Sequence, residues 1–385
     1  MARRTGRQLS VKVLGLYLHV PFCSSICNYC NFNRGLVDAA LARRYVRALC
    51  DEVGRTAARG AAADTIYFGG GTPSLLEPSA IAEIIEQCRN TFDLAQNAEV
   101  TLEANPESVT LDTMAGYRKA GVNRVSFGVQ SFRDDELTRL SRLHGRERAV
   151  SAYREAREAG FDNVSLDLMM WLPGQSVEAW LESVAEAAAL GPDHLSLYML
   201  EVYPNAPLKE QMLRGSWSQA PDEDAGVMYV AAMERLERCG YEQYEISNLA
   251  RPLRRARHNM KYWTEGDWIG LGSGAHSTWD GVRWRNVAAT QEYIERIEGG
   301  VPTGVDVRRL SPSERLEEAL FMGLRLADGV DVDEIGGRYG IDVLARWGPA
   351  LTPFVEAGLL RASGPRLRLT RQGMLLANEI MAVFV

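Results

Sequence analysis

Short apolar segments alternate with amphipathic segments along the first half of the chain, and no other feature limits the fold as strongly. Near-continuous apolar runs of this kind are typical of strands in a parallel sheet that is covered on both faces. The strands are predicted at residues 14–20, 65–68, 99–103, 124–129, 163–169 and 194–200. The helices between them are predicted at residues 39–59, 78–90, 111–120, 134–140, 146–159 and 177–190. Six such βα units indicate an α/β architecture.

Chemically distinctive residues stand where five of these strands end. They are Cys23, Gly70, Glu103, Gln130 and Asp167. A doubly wound sheet and an incomplete barrel both fit the number of βα units, but in a barrel the C-terminal strand ends form one rim that carries the active site. We therefore predict a partial (β/α)6 barrel of the TIM type with its functional site at this rim.

The pattern changes after residue 205, and three parts are predicted. Residues 1–205 form the partial barrel, and residues 206–305, which are rich in Trp, Tyr, Gly and Asn toward their end, form a cap or extension. Residues 306–385 form a C-terminal winged-helix-like domain, because helical segments precede a short hairpin-like sequence. The helices of this third part are predicted at residues 314–326, 331–339 and 349–357, with a last helix from residue 370.

Three cysteines follow the first predicted strand with the spacing C-x3-C-x2-C, namely Cys23, Cys27 and Cys30. A closed structural metal site normally takes four protein ligands, and a cubic iron–sulfur cluster is normally held by four thiolates. Three thiolates leave one iron of such a cluster free to bind another ligand. The spacing therefore predicts a reactive cluster, and the alternative is a zinc site that takes His19 or a distant group as its fourth ligand.

Composition argues against several classes of protein. The 385-residue chain has a formal net charge of −7 and a pI of about 5.5, which is unfavourable for binding nucleic acid through bulk positive charge. No apolar run approaches the roughly 18 residues that span a bilayer, and no apolar signal core follows the basic N-terminus. Six cysteines, three of them clustered, suit a reducing compartment better than a disulfide framework. We therefore expect a cytoplasmic protein.

Further candidate binding residues follow the other strands. The glycines at 69–71 and Thr72 let backbone groups approach a ligand closely and suit an amino acid headgroup, although a bare tight turn explains them equally well. Glu103 suits a ribose diol or an ammonium group, and Gln130 and Asp167 hold equivalent positions. Arg142 is suited to a bidentate contact with a carboxylate, and the alternative is an ordinary arginine on a helix surface.

Together these motifs resemble the radical S-adenosylmethionine superfamily. The resemblance rests on the three cysteines, on the sequence Gly-Gly-Gly-Thr-Pro at 69–73 and on the partial barrel. Within the superfamily, four segments resemble the branch that contains oxygen-independent coproporphyrinogen dehydrogenases and heme chaperones. They are Tyr-Leu-His-Val-Pro-Phe-Cys (17–23), Gly-Val-Gln-Ser-Phe (128–132), Leu-Pro-Gly-Gln (172–175) and Gly-Ser-Gly-Ala-His-Ser (272–277). The similarity runs from about residue 14 to the C-terminus.

The resemblance implies two cofactors and their ligands. Cys23, Cys27 and Cys30 would hold a 4Fe–4S cluster, and S-adenosylmethionine would chelate its open iron and be cleaved to a 5′-deoxyadenosyl radical when the cluster is reduced. The contacts implied for S-adenosylmethionine are Tyr17, Tyr29, Gly70, Gly71, Thr72, Glu103, Gln130, Arg142 and Asp167.

Three features resemble the heme chaperones of this branch rather than the dehydrogenases. Phe32 stands where the dehydrogenases have a fourth cysteine, and only 22 residues precede Cys23, where the dehydrogenases carry a longer extension. Residues 257–263, Arg-His-Asn-Met-Lys-Tyr-Trp, resemble an H-N-x-x-Y-W motif of the chaperones. The resemblance therefore predicts a protein that binds heme and hands it to an acceptor protein.

The same motif supplies candidate heme contacts. His258 would ligate heme iron through its imidazole, with Tyr262 and Trp263 packed on the macrocycle. The heme propionates would meet Arg254, Arg255 or Arg257. The alternative is that His258 and Asn259 only pin the extension to the barrel.

Two enzymatic functions remain as alternatives. One is a coproporphyrinogen III oxidase (dehydrogenase), against which the missing fourth cysteine and the short N-terminus count. The other is a methyltransferase or cyclopropanase of the same branch, which need not keep the H-N-x-x-Y-W motif. As partners we expect heme and a heme-acceptor protein and no nucleic acid, and the resemblance is compatible with a transient membrane-protein acceptor and with a homodimer.

One position departs from the pattern of the branch. The segment at 170–175 reads Met-Trp-Leu-Pro-Gly-Gln, where a glycine is usual in place of Trp171. The tryptophan is expected either to fill space near the adenosine or to reshape the substrate side.

Overall fold

A twelve-stranded mixed sheet forms the centre of the computed structural model, which describes residues 13–215 and 217–385. Two further small sheets lie beside the cysteine loop and in the C-terminal part. The strands are β1 (Leu14–Val20), β2 (Phe22–Cys23), β3 (Gly35–Leu36), β4 (Ala62–Gly70), β5 (Asp93–Ala104), β6 (Arg124–Gln130), β7 (Val164–Met170), β8 (His194–Met199), β9 (Glu242–Gln243), β10 (Asn248–Ala250), β11 (Trp268–Leu271), β12 (His276–Trp279), β13 (Val282–Asn286), β14 (Gly304–Arg309), β15 (Val330–Asp331), β16 (Leu360–Ser363) and β17 (Arg366–Leu369).

Helices cover the strands in alternation with them. They are α1 (Ala39–Arg55), α2 (Pro78–Thr91), α3 (Leu111–Ala120), α4 (Asp134–Arg139), α5 (Arg146–Glu158), α6 (Val177–Leu190), α7 (Pro207–Gly215), α8 (Asp222–Arg238), α9 (Arg257–Trp263), α10 (Thr290–Glu298), α11 (Pro312–Gly323), α12 (Val332–Tyr339), α13 (Val343–Glu356), α14 (Arg371–Leu375) and α15 (Ala377–Met381). Short 3-10 turns occupy Pro73–Leu75, Pro106–Ser108 and Ala382–Phe384.

Six strands pair side by side in parallel, in the order β1-β4-β5-β6-β7-β8. Their central residues are almost all buried, as in β1 and β7, because helices cover the outer face and side chains fill the interior. The sheet ends at β14 on one side and β9 on the other, so the barrel is incomplete. The predicted α/β partial barrel of six βα units is therefore confirmed.

Residues 206–305 add strands to both sides of this barrel. Strand β11 pairs in parallel with β1 and continues into the antiparallel β12, β13 and β14. On the other side β10 pairs antiparallel with β8 and with β9. The extension therefore shares one sheet with the barrel, and the boundaries at residues 205 and 305 stay predictions.

Local sequence sets most helix ends, and two predicted ends were wrong. Helix α1 ends at Arg55 instead of residue 59, followed by Thr56 in an extended conformation. The helix predicted at 349–357 begins earlier, because Asp342 accepts a hydrogen bond from the backbone N–H of Ala345 at 2.9 Å and caps α13. Its two internal prolines, Pro349 and Pro353, resemble helix-start signals in the sequence and lie inside the helix.

The C-terminal part packs helices α11 to α13 against the three-stranded sheet β15-β17-β16. Its apolar residues, including Trp347 and Phe384, belong to the same continuous core as the barrel. In the described ranges, no helix is both long enough and apolar enough to cross a bilayer.

Candidate functional site

A cavity of about 390 Å³ opens at the C-terminal ends of the parallel strands. Eleven of the thirteen predicted site residues line it, which brings together side chains that are up to 144 positions apart, from Cys23 to Asp167. They are Cys23, Cys27, Tyr29, Cys30, Gly70, Gly71, Thr72, Glu103, Gln130, Arg142 and Asp167. Tyr17 and His258 do not line this cavity.

The cysteine loop is held at both ends by backbone pairing. Strand β2 pairs in parallel with β3, and the N–H of Val37 donates to the carbonyl of Cys23 at 2.9 Å. Inside the loop, the N–H of Cys30 donates to the carbonyl of Cys27 at 3.2 Å. The loop therefore presents Cys23, Cys27 and Cys30 to one cavity as free thiols.

Both ring nitrogens of His19 are hydrogen-bonded within the protein, and one of these bonds reaches Asn33, just after the cysteine loop. Its Nε2 donates to the carbonyl of Asn33 at 2.8 Å, and its Nδ1 accepts from the hydroxyl of Tyr17 at 3.2 Å. Both ring nitrogens are occupied, which disfavours the alternative zinc site with His19 as fourth ligand. Within the described residues, no group of three or more His, Cys, Asp or Glu side chains is arranged to hold a metal ion.

Cys23 and Cys27 lie in different electrostatic surroundings. Burial raises the pKa of the Cys23 thiol, and a hydrogen bond with Thr72 lowers it in part. The guanidinium Nη1 of Arg142 lies 3.4 Å from the Sγ of Cys27 and donates to it. The cavity therefore holds a guanidinium in hydrogen-bonding contact with one of its three thiols.

The glycines after β4 leave room that a side chain would close. A Cβ on Gly71 would lie 2.6 Å from the carbonyl oxygen of Phe22 and 3.0 Å from the Sγ of Cys23. Gly70 has a φ of +117°, and a Cβ there would meet the ring of His19 at 2.6 Å. Because the obstacles include backbone and cysteine atoms, glycine is required for this close approach.

Glu103 faces the cavity with both carboxylate oxygens engaged. Its Oε1 accepts from the hydroxyl of Tyr67 at 2.7 Å, and its Oε2 accepts from the N–H of Gly70 at 3.2 Å. Burial, with a smaller contribution from the nearby Asp167, raises the pKa of Glu103 to about 7 against the opposing effect of the Tyr67 hydrogen bond. The side chain can therefore change charge near neutral pH.

Gln130 is the last residue of β6, whereas Asp167 lies in the middle of β7, so the prediction that Asp167 stands at a strand end was wrong. The hydroxyl of Ser126 lies 3.1 Å from each carboxylate oxygen of Asp167 and donates to it, and burial raises the pKa of Asp167. Gln130 has a φ of +68° beside a register shift between Gly128 and Gln130. A bulge at a barrel rim re-aims the side chain that follows it, and the Gln130 side chain lines the cavity.

Arg142 lies inside the protein rather than on a helix surface. It follows α4, lines the cavity and donates through Nη2 to the Oδ1 of Asn105 at 2.7 Å and to the carbonyl of Gly128 at 2.8 Å. The surface alternative left open by the sequence is therefore wrong.

His258 is sealed in the barrel interior and is 1% exposed. Its Nδ1 is hydrogen-bonded to the hydroxyl of Thr65 at 2.8 Å, and its Nε2 to the hydroxyl of Tyr262 at 2.9 Å. Its ring stacks on Tyr67 with centroids 5.2 Å apart, and burial lowers its pKa to about 3. Both nitrogens are used by the protein, which favours the anchoring role over heme ligation.

Other residues of the motif also pack within the protein. The carboxylate of Glu99 accepts from the backbone N–H groups of Arg257 and His258, both at 3.0 Å, and so joins α9 to the barrel. The ring of Tyr262 packs edge-on against Trp268 with centroids 4.8 Å apart, and Arg325 lies over the Trp263 ring at 4.4 Å. Neither Tyr262 nor Trp263 lines the main cavity.

The three arginines expected at heme propionates are paired with acids elsewhere. Arg254 faces Asp162 and Asp193, and Arg255 faces Asp328. Arg257 pairs with Asp64 at 3.0 Å and also donates to the carbonyl of Asn97. None lines the cavity, and contact of these arginines with heme propionates stays a prediction.

Trp171 lies outside the cavity lining, and its predicted effect on the adenosine or the substrate side stays a prediction. It has a φ of +63°, a region that glycine adopts more easily. Its indole N–H donates to the carbonyl of Ala220 at 2.8 Å, and the side chain packs against the core. The positive φ explains why a glycine suits this position. In this chain the contacts of the indole ring offset the strain of a tryptophan with that backbone conformation.

Several cavity residues were missed by the sequence interpretation. Arg124 begins β6 and is 1% exposed, although an arginine at the start of an apolar run gives no sign of pointing into a barrel. Asn105 and Asn259 lie next to recognised motifs, and this proximity was the only sign in the sequence that they line the cavity. The other missed lining residues include Tyr67, Ser126, Ser196 and Tyr198.

The rim supplies the donor types of a thiolate-bound cluster with an amino acid ligand beside it, although the described residues do not gather the three thiols around a single ion. Three free thiols share one cavity, Gly71 leaves space that any Cβ would fill, and Arg142 supplies a buried cation. Carboxylates at Glu103 and Asp167 add acceptors for hydroxyl or ammonium donors.

Comparisons with known proteins agree with this geometry. The model of the radical SAM superfamily matches residues 17–187, and that of the HemN C-terminal domain matches residues 310–376. The chain is 35% identical over 373 residues to the heme chaperone HemW of Bacillus subtilis (strain 168), covering 96% of this chain and 98% of that protein. It is 37% identical over 377 residues to the heme chaperone HemW of Mycobacterium tuberculosis (strain CDC 1551 / Oshkosh), covering 95% and 93%.

A solved structure shares the fold. The coproporphyrinogen III oxidase (HemN) from Escherichia coli, a radical SAM enzyme, matches with a TM-score of 0.85 at 23% identity. The match covers 97% of this chain and 90% of that chain. It therefore includes the extension and the C-terminal part as well as the barrel.

Proposed function

We propose that this chain, which belongs to the HemW family within the radical S-adenosylmethionine superfamily, is a heme chaperone that binds heme and delivers it to an acceptor protein. The observation that carries the proposal is similarity to heme chaperones over 96% of the chain, together with a cavity whose rim is made by residues of the family motifs. A fold shared with an oxidase at 23% identity supports the architecture alone.

Within this proposal the cysteine loop holds a 4Fe–4S cluster and the rim holds S-adenosylmethionine. Cys23, Cys27 and Cys30 would supply the thiolates. When bound, the cluster and S-adenosylmethionine together supply one-electron chemistry. The rim residues proposed for S-adenosylmethionine are Tyr29, Gly70, Gly71, Thr72, Glu103, Gln130, Arg142 and Asp167. Tyr17 would act from behind the rim, since its hydroxyl bonds to His19.

Each side chain has a task that its surroundings make possible. Arg142 stabilises negative charge at Cys27, and its rigid hydrogen bonds to Asn105 and the carbonyl of Gly128 keep the guanidinium in place. Glu103 and Asp167 offer acceptors to the ammonium and ribose groups. Gly71 allows the backbone to approach the ligand.

The partners of the proposed chaperone are heme and an acceptor protein in the cytoplasm or at the membrane. A membrane-protein acceptor and a homodimer are compatible with this function. The H-N-x-x-Y-W motif would contribute by fixing α9 to the barrel through His258, whose two hydrogen bonds would have to break before it could ligate iron.

A heme titration of anaerobically reconstituted protein, followed by visible absorption, tests the proposal. A saturable Soret band is expected, and heme should then pass to an apo-acceptor with loss of that band. A parallel incubation with coproporphyrinogen III, S-adenosylmethionine and a reductant should yield no protoporphyrinogen. Vinyl-bearing product together with negligible heme affinity would replace the chaperone with an oxidase of porphyrin synthesis.

A further inference from the structure

Arg124 is a buried cation that reaches the cavity from the start of β6. It is 1% exposed and ranks among the largest fully buried side chains, yet it lines the cavity. Its Nε has no hydrogen-bond partner. Burying a guanidinium without hydrogen-bond partners is unfavourable, so an entering acceptor would add to the electrostatic contacts that Arg124 makes with Glu103 and Asp167.

Three guanidinium groups line the cavity, and two of them are already engaged. Arg34 donates to the carbonyls of Cys30 and Phe32. Arg142 donates to Cys27 and to two oxygens of the barrel. In the part of the chain that the structure describes, the side chain of Arg124 makes no hydrogen bond or ion pair. Its guanidinium donors are therefore available to a ligand.

Three acids line the cavity, namely Glu103, Asp167 and Glu201, and among the described residues none is ion-paired with Arg124. Glu103 accepts from Tyr67, and Asp167 accepts from Ser126, at 2.7 and 3.1 Å. Burial raises the pKa of Glu103 and of Asp167. Arg124 lies close enough to lower both values in part, but neither acid is its ion-pair partner.

Asn259 adds a second polar group to this part of the cavity. It is the residue after His258 on α9, and consecutive helical residues point about 100° apart. His258 is therefore sealed in the interior while Asn259 lines the cavity, half-buried. A side-chain amide beside a guanidinium is a suitable pair of donors for a carboxylate.

The rim above these donors is open and mixes apolar side chains with polar ones such as Asn31 and Glu201. Ile26, Phe32, Tyr198 and Met199 all line the cavity and are 42%, 65%, 42% and 46% exposed. Large exposed apolar side chains gathered at a cavity mouth mark a binding surface. A cationic interior below an apolar mouth matches a ligand with a flat apolar body and a carboxylate arm.

We propose that Arg124 and Asn259 bind a carboxylate arm of the ligand whose apolar body rests on the rim of Ile26, Phe32, Tyr198 and Met199. This inference rests on the proposed function, under which the ligand is heme and the arm is a propionate. Under this inference the propionate partners are Arg124 and Asn259. They take the place of Arg254, Arg255 and Arg257, which are paired with acids.

Hemin and hemin dimethyl ester test the inference, because they share the macrocycle and differ in the free carboxylates. The reconstituted wild-type protein is expected to bind hemin at least about tenfold more tightly than the ester, as for a charge-assisted contact. Arg124→Gln should reduce hemin affinity to that of the ester and leave ester affinity unchanged. Arg124→Lys should retain part of the preference, and Asn259→Ala should lose a smaller part.

Arg254→Gln is the matched control, since Arg254 faces acids outside the cavity, and it should keep the full preference for hemin. Equal affinity of the wild-type protein for hemin and ester would overturn the inference without any variant. So would equal loss of preference in Arg254→Gln. If Arg124→Gln does not fold, the wild-type comparison and Asn259→Ala decide. If the protein binds hemin and the ester saturably and equally well, the inference fails but the proposed chaperone function is retained. If it binds neither ligand, the proposed function itself fails.

Discussion

The rim of the cavity and helix α9 were both singled out by sequence motifs, yet the structure uses them differently. At the rim, Cys23, Glu103 and Asp167 come from separate strands and face one space. On α9, His258 turns inward to Thr65 and only its neighbour Asn259 faces that space. Residues after parallel strands converge because the strand ends share one edge, whereas residues along a helix diverge by about 100° at each step.

The largest effect that tests this difference is expected from Cys27→Ser at the rim. Loss of one of three thiolates should abolish the cluster and its brown absorption after anaerobic reconstitution. Cys239→Ser is the control, since Cys239 is an exposed free cysteine away from the cavity. Unchanged iron content and absorption in Cys27→Ser would show that Cys27 does not hold a cluster, and the proposed cluster site at the rim would be wrong.

His258→Ala sharpens the other side of the comparison. It removes a buried ring with two hydrogen bonds, so the free energy of unfolding should fall by about 2–3 kcal/mol, measured by denaturant titration. Heme affinity of the folded fraction should stay within about twofold of wild type, well below the roughly tenfold change that loss of an axial ligand would bring. A specific loss of heme affinity at unchanged stability would restore His258 as a ligand.

Gly71→Ala tests whether the rim depends on close backbone approach. The added methyl group would meet the Phe22 carbonyl at 2.6 Å, so the variant should lose about 1–3 kcal/mol of stability. It should also bind S-adenosylmethionine more weakly in equilibrium dialysis. Gly337→Ala is the control, since no atom lies within 4 Å of the Cβ that it would add on α12. Equal behaviour of the two variants would contradict a tight rim.

The smallest effect is expected in the pH dependence of Glu103. Because its folded-state pKa is about 7, affinity for the ammonium group of S-adenosylmethionine should rise by up to about tenfold from pH 6 to 8. The free energy of unfolding of the ligand-free protein should instead fall as the pH rises. A carboxyl group whose pKa is raised on folding contributes stability at low pH, and this contribution is lost as the pH rises through about 7. Glu103→Gln should flatten both profiles. A profile that persists in the variant would assign the titration to another group.

The sequence by itself determined the barrel and most of its rim. Apolar runs and amphipathic segments are local patterns, and they placed the six parallel strands to within a few residues. Parallel connections then bring the strand ends to one edge regardless of details, so Cys23, Glu103 and Asp167 could be assigned together. The glycines at 70 and 71 were recognised as loop residues, although the atoms that require them were not.

Only the tertiary structure decided where buried polar side chains point. The partner of His258 is Thr65, 193 positions away, and no spacing rule relates them. Arg124 looks like the first residue of an apolar strand, and the barrel interior makes it an unpaired cation at the cavity. Trp171 reads as a change in the site, whereas its side chain is partly buried against the core and its indole N–H donates to the carbonyl of Ala220. Local patterns determine which segments form strands and helices, but the direction and partners of each polar group depend on contacts between segments that are distant in the chain.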